Sequence, residues 1–231
     1  MKSFKFKQFE IQQSADVFRV GTDGVLLGAL ATVDFAGNVL EIGTGTGLIS
    51  LMLAQRNQDA LFLGLDINEN AVQITKDNFK NSVFHERLRN ILEDFKTFET
   101  DEKFDLIVSN PPYFKTSDST KDKIARQTVE LNFQQLISKS AKLLSKNGIF
   151  SVIIPFEVGN DFMDIAKENQ LFINRKINIY GIKHSKIKRL VLEFSQIEKD
   201  MEESDFIIEK SPRKYSDQYL ELTKEFHIFK G

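Results

Sequence analysis

The chain has 231 residues, 41% hydrophobic and 28% charged, which is enough apolar side chain for one large core in an ordinary globular domain. A formal net charge of −2 argues against a general polyanion binder, and no apolar run approaches the length of a membrane span. There is no cysteine, which excludes disulfides and thiolate metal sites, and the three scattered histidines, His85, His184 and His227, argue against a metal centre or a histidine triad.

In chain order, Met1 to Ile11 is too charged for a signal peptide, so a cytoplasmic protein is expected. Val39 to Ile42 reads as a short buried strand, Gly43-Thr44-Gly45-Thr46-Gly47 as a turn, and Leu48 to Arg56 as a helix. A second strand, Ala60 to Leu65, ends at Asp66 and precedes a helix over Glu69 to Asn81. Leu88 to Leu92 and Phe104 to Ser109 are the third and fourth strands, the latter running into Asn110-Pro111-Pro112-Tyr113. A long polar loop follows, then a helix over Leu131 to Ser145 closed by Asn147-Gly148. Ile149 to Ile154 is a fifth strand stopped by Pro155, and Glu157 to Asn169 a further helix. Phe172 to Tyr180 and Arg189 to Gln196 close the pattern as an antiparallel pair. Alternation of this kind predicts a doubly wound, mostly parallel α/β sheet in a single domain spanning residues 1–231.

Two motifs carry chemistry. A strand, a glycine turn and a helix let backbone approach a ligand beside a helix N-terminus. A dinucleotide fingerprint would need its third glycine at Leu48, so NAD is disfavoured. Asp66, about twenty residues beyond the glycines, suits the two hydroxyls of a ribose. The Pro111-Pro112 corner is stiff and leaves carbonyls free, between an amide on one side and an aromatic plane on the other. That combination grips a flat, amine-bearing group at the edge where open α/β sheets bind ligands.

These segments resemble class I S-adenosylmethionine-dependent methyltransferases, in the branch that methylates exocyclic or amide nitrogens. Phe18-Arg19-Val20-Gly21-Thr22-Asp23-Gly24-Val25-Leu26-Leu27-Gly28-Ala29, Ala125-Arg126, Leu143 to Pro155 and Lys214-Tyr215-Ser216 through Phe226 are similar to the bacterial tRNA1(Val) (adenine-N6)-methyltransferase family. The resemblance implies a Rossmann-like, seven-stranded sheet with a C-terminal hairpin and S-adenosylmethionine as cofactor. It implies that Asn110, the Pro111 carbonyl and Tyr113 hold the acceptor base, with Asn110 also at the cofactor. Toward the cofactor it implies Glu41 at the methionine amino end and Gly43 and Gly45 at close backbone approach. Asp66 would take the ribose, Ile67 the adenine ring and Asp94 the adenine amine, with Glu93 as an alternative register. Thr22 to Leu27 would cover the methionine moiety. The implied partner is tRNA at its anticodon loop, with no metal and no membrane.

Charge is unevenly spread. Between Leu171 and Leu192 there is no acidic residue, while Arg175, Lys176, Lys183, Lys186, Lys188 and Arg189 all fall there. Acidic residues cluster afterwards, in Glu198 to Glu209. Lys183, Lys186 and Lys188, near the joint of the last two strands, and Arg126 are the expected RNA contacts. Lys2, Lys5, Lys7, Lys115, Lys121 and Lys123 extend the patch. Other substrate classes remain open: a glutamine of a release factor, or an amino group of ribosomal RNA or DNA. Those enzymes usually carry an added domain, for which this chain has no room.

Overall fold

The computed structural model of the protein describes residues 2–13, 20–112 and 133–228. Two short strands, β1 (Lys2–Lys5) and β2 (Glu10–Gln13), pair as an antiparallel hairpin apart from the main sheet. There follow α1 (Thr22–Leu30), β3 (Asn38–Ile42), α2 (Leu48–Arg56), β4 (Leu61–Asp66), α3 (Glu69–Lys80), β5 (Leu88–Leu92) and β6 (Phe104–Ser109). Helix α4 covers residues 133–143. The chain continues with β7 (Leu144–Pro155), α5 (Gly159–Glu168), β8 (Phe172–Ile182), β9 (Ile187–Ser195), β10 (Glu202–Ser211), β11 (Lys214–Tyr215) and α6 (Asp217–Thr223).

The main sheet runs in the order β11-β10-β8-β9-β7-β6-β3-β4-β5. Neighbours are parallel except around β9, which is antiparallel to both β7 and β8, and at β11. The seven expected strands are therefore all present, including the C-terminal hairpin. Beyond them the sheet gains β10 and β11. Sequence reading assigns no element to Glu202–Ser211, which overlaps the acidic cluster Glu198 to Glu209 and has only Phe206, Ile207 and Ile208 as apolar residues. Its pairing with β8 explains the strand: Glu203 lies opposite Lys176, and their side chains form an ion pair at 2.9 Å. The fourth helix also ends sooner than Asn147-Gly148 suggests. Residues 144–148 enter β7, with a register shift against β6, and a Cβ at Gly148 would lie 2.8 Å from the Phe104 carbonyl.

Strand alternation divides the core between the sheet's two faces. Val39, Leu106, Val108, Ile153 and Val191 face α1 and α2 in one cluster. Leu40, Ile107, Val152, Ile154 and Leu192 face the other way with Phe133 of α4 and Phe162 of α5. Helix α1 packs so closely on α2 that a Cβ at Gly28 would sit 2.8 Å from Met52. Its C-terminus is tied to the sheet through Glu193, a buried carboxylate that accepts from the backbone N–H and hydroxyl of Thr32, each at 2.8 Å, and from Arg175 at 3.4 Å. Among the described residues no helix is long and apolar enough to cross a membrane.

Candidate active site

Four parallel strands end together. Ser109 of β6 pairs with Ile42 of β3, Ile42 with Leu65 of β4, and Asp66 with Leu92 of β5. The next residues in each strand are therefore level: Asn110, Gly43 and Asp66 stand in a row along the carboxyl edge. Chain distance separates Gly43 from Asn110; sheet register unites them.

The glycine turn between β3 and α2 has positive φ at Gly43 (77°), Gly45 (57°) and Gly47 (77°). At Gly47 the reason is packing as well as conformation, since a Cβ there would lie 2.5 Å from the Phe79 ring of α3. At Gly43 and Gly45 a Cβ would meet nothing within 4 Å, so the turn fronts open space that a ligand can fill. The turn is held from every side. Asp66 Oδ2 accepts from the Gly45 N–H at 2.8 Å, and its Oδ1 from the Asn68 N–H at 2.9 Å, leaving one lone pair on each oxygen. The Gly43 and Thr44 N–H groups donate to the Leu65 carbonyl, and the Ser109 hydroxyl to that of Ile42. Thr75 and Asn78 of α3 donate to the carbonyls of Gly45 (3.0 Å) and Thr46 (2.9 Å). Asn78 also exchanges bonds with the backbone of Gln12, tying the N-terminal hairpin to the turn. Thr75 and Asn78 are functional supports that motif reading passes over. Their signal is two polar residues on the buried face of an amphipathic helix, beside Ala71, Ile74 and Phe79.

Glu41 is 1% exposed, beneath the turn, where the backbone N–H and hydroxyl of Ser50 donate to it. Burial pushes its carboxyl up to about 8 against the lowering effect of the Ser50 bonds, with the charge of Asp66 adding to the rise. Ile67 is 73% exposed at the strand end, directly after Asp66. Glu93 is bound through its N–H to the Asp66 carbonyl, which sets it next to the row; Asp94 is the next residue, exposed, with Oδ1 accepting from the Lys96 N–H. Pro111 is buried and Pro112 exposed. Tyr113 and Arg126 lie outside the described residues, as do Lys115, Lys121 and Lys123.

Thr22 is the exposed first residue of α1, and Asp23 beside it is ion-paired at 2.8 Å with Arg189, whose strand partner is Pro155 at the same carboxyl edge. Only this first turn reaches the edge. Val25, Leu26 and Leu27 are core residues packed between α2 and the sheet, which corrects the expectation that the whole stretch Thr22 to Leu27 covers a ligand.

The basic stretch divides in two. Arg175, Lys176 and Arg189 are committed to Glu193, Glu203 and Asp23. Lys183, Lys186 and Lys188 are exposed in and beside the β8–β9 turn, with no ion pair to any described residue. Because β8 runs parallel to β7, that turn lies at the carboxyl edge too. Among the described residues no group of three or more His, Asp or Glu could hold a metal ion.

Comparison with known proteins agrees with this geometry. Residues 13–172 match the methyltransferase small domain family. The tRNA1(Val) (adenine(37)-N6)-methyltransferase of Flavobacteriaceae bacterium (strain 3519-10) is 52% identical, over 99% of this chain and 100% of its own. The protein of the same name from Phocaeicola vulgatus is 42% identical over 97% of both chains. In fold, the chain is similar to a predicted O-methyltransferase from Agrobacterium tumefaciens, with a TM-score of 0.72 at 15% identity over 88% of this chain and 96% of that one. A methyltransferase from Pyrococcus furiosus matches with a TM-score of 0.62 at 16% identity, over 81% of this chain and 89% of the other.

Proposed function

The chain belongs to the tRNA1(Val) (adenine(37)-N6)-methyltransferase family, and from that premise we propose that it methylates N6 of the adenosine at position 37 of tRNA1(Val), in the anticodon loop and in the cytoplasm, as a single domain. The observation that carries the reading is the row of Asn110, Gly43 and Asp66 at one level of one sheet edge. It sets an amide and a proline carbonyl beside a backbone cradle with an acidic wall.

S-adenosylmethionine, when bound, supplies an electrophilic methyl group. The open front of Gly43 and Gly45 fits it; Asp66 would hold the ribose hydroxyls and Ile67 would pack on the adenine face. Thr22 and Glu41 would serve the methionine end, and Asp94 would accept from the adenine amine. Adenine N6 is a poor nucleophile because its lone pair is conjugated with the ring. Asn110 Oδ1 and the Pro111 carbonyl accept its two protons, which favours the pyramidal, nucleophilic form. Tyr113 stacks on the base and sets its angle, an interaction of roughly 1–3 kcal/mol. No strong base is needed, since the acidic proton leaves after transfer. The rate then comes mainly from alignment of nitrogen, methyl and sulfur. Lys183, Lys186, Lys188 and Arg126 meet RNA phosphates.

Incubation with labelled S-adenosylmethionine and separate pools of unmodified tRNA, release factor and ribosomal RNA tests this reading. N6-methyladenosine at position 37 of tRNA is the expected product, and label in a release-factor glutamine or in ribosomal RNA overturns it. For the acceptor site, Tyr113→Phe should keep most activity while Tyr113→Ala loses both RNA affinity and turnover. Equal inactivity of the two would assign the work to the hydroxyl and remove the stacking role.

A further inference from the structure

Next to the acceptor corner the same edge carries a depression of about 420 Å³, lined by Phe156, Glu157, Tyr180, Lys186 and Lys188 among others. Phe156 follows Pro155, the last residue of β7, and β7 lies beside β6. Val152 pairs with Ser109, so Ile153 is level with Asn110. Phe156 is three residues further on, which places it at most roughly 10 Å above that level and one strand spacing of about 4.8 Å to the side. A short stretch of unstacked RNA covers such a span.

The Phe156 ring is 45% exposed, and among the described residues no aromatic ring or cation stacks on it. Two lysines without a described acidic partner flank it. The turn that carries Lys186 is held in shape, with the Ser185 N–H donating to the Ile182 carbonyl at 3.0 Å and His184 at a φ of 65°. An open aromatic face beside cations with no described acidic partner matches a nucleotide, whose base offers a flat apolar surface and whose backbone offers phosphates. The Glu157 carboxylate adds one acceptor suited to an exocyclic amine.

We infer that this depression is a nucleotide subsite for a base flanking the methylated adenosine, with Phe156 stacking on that base and Lys186 and Lys188 on the adjoining phosphates. The inference rests on the tRNA reading above. Turning the target base outward leaves its neighbours without a stacking partner, and Phe156 replaces that partner.

The test measures binding and single-turnover methylation of tRNA transcripts by wild type, Phe156→Leu and Phe156→Trp, with cofactor affinity and melting as controls. The transcripts carry either the intact loop or one abasic position beside nucleotide 37. Phe156→Leu keeps apolar bulk and loses the flat face, so RNA affinity should fall roughly 5- to 100-fold with cofactor affinity unchanged. Phe156→Trp should retain or improve it. One abasic position should weaken wild type strongly and Phe156→Leu hardly at all, which identifies the base in the subsite. If Phe156→Leu binds and methylates within twofold of wild type, or if every abasic loss is the same in both proteins, the subsite is wrong while the tRNA reading stands. If wild type methylates no tRNA, the reading of function falls and the subsite falls with it.

Discussion

Two parts of the same carboxyl edge are built in opposite ways. Under the glycine turn, polar groups are committed: Asp66 to Gly45 and Asn68, Thr75 and Asn78 to turn carbonyls, Ser50 to Glu41. Around the β8–β9 turn, Lys183, Lys186 and Lys188 and the Phe156 ring are left uncommitted to described neighbours. On the function proposed above, the first part would hold one small ligand of constant shape, which suits fixed, hydrogen-bonded supports. The second would meet a large polyanion, for which exposed cations supply the attraction. In that reading the fold keeps rigidity where a methyl would be aligned and charge where a macromolecule would dock.

That contrast can be broken at Asn110 with the largest effect. Asn110→Ala should bind cofactor nearly as wild type does but transfer methyl at least about a hundredfold more slowly, near 2.7 kcal/mol in barrier. Single-turnover rates with saturating tRNA measure it, and a loss confined to KM would move Asn110 from chemistry to binding.

Next comes the buried carboxyl of the rigid part. Glu41 holds its proton up to about pH 8 in the folded protein against 4.5 as the ordinary value. Between those values the native state carries a proton that the unfolded chain has released, so stability must fall as pH rises through that window. Glu41→Gln removes this loss and should gain stability on wild type as pH rises from about 5 to 8.5, by a few kcal/mol and at most about 5. Melting curves that stay parallel across this range would show that Glu41 is ionised throughout.

Cutting a support of the turn has a smaller effect. Asn78→Ala removes bonds to Thr46 and Gln12 from a residue 1% exposed, and should cost about 1–3 kcal/mol of stability. Because the turn also loses its alignment, cofactor affinity should drop with it; calorimetry showing unchanged affinity would limit Asn78 to the hairpin.

The uncommitted part gives the mildest loss. Replacing Lys183, Lys186 and Lys188 together by glutamate should raise the KM for tRNA about tenfold at moderate salt and flatten the salt dependence, since each phosphate contact adds about −0.7 to −0.9 to the log–log slope. Cofactor affinity should not move. An unchanged KM at both low and moderate salt would shift RNA docking to the N-terminal lysines and to residues 115–126.

Much of the donor side was legible because its determinants are local in the chain. Val39–Ile42, the three glycines and Asp66 specify a strand, a turn and an acidic strand end through backbone sterics and period-two burial. Asn110-Pro111-Pro112 likewise marks a strand's end by removing backbone donors. The supports were less legible, since Thr75 and Asn78 act on residues about thirty positions away and look like ordinary polar residues on a helix.

By itself, then, the amino-acid sequence determined the strand–helix alternation, the two motifs at the strand ends and the family, all of which follow from short-range patterns of burial and backbone freedom. Only the tertiary structure decided which cations are available. Arg175, Lys176 and Arg189 read the same as Lys183, Lys186 and Lys188 along the chain, yet the first three meet Glu193, Glu203 and Asp23 across strands and a helix. It also decided that Glu202–Ser211 is a strand, since Glu203 meets Lys176 only once β8 lies beside it. Charge pairing depends on distances between side chains that sequence separation does not encode, and the sheet register sets those distances.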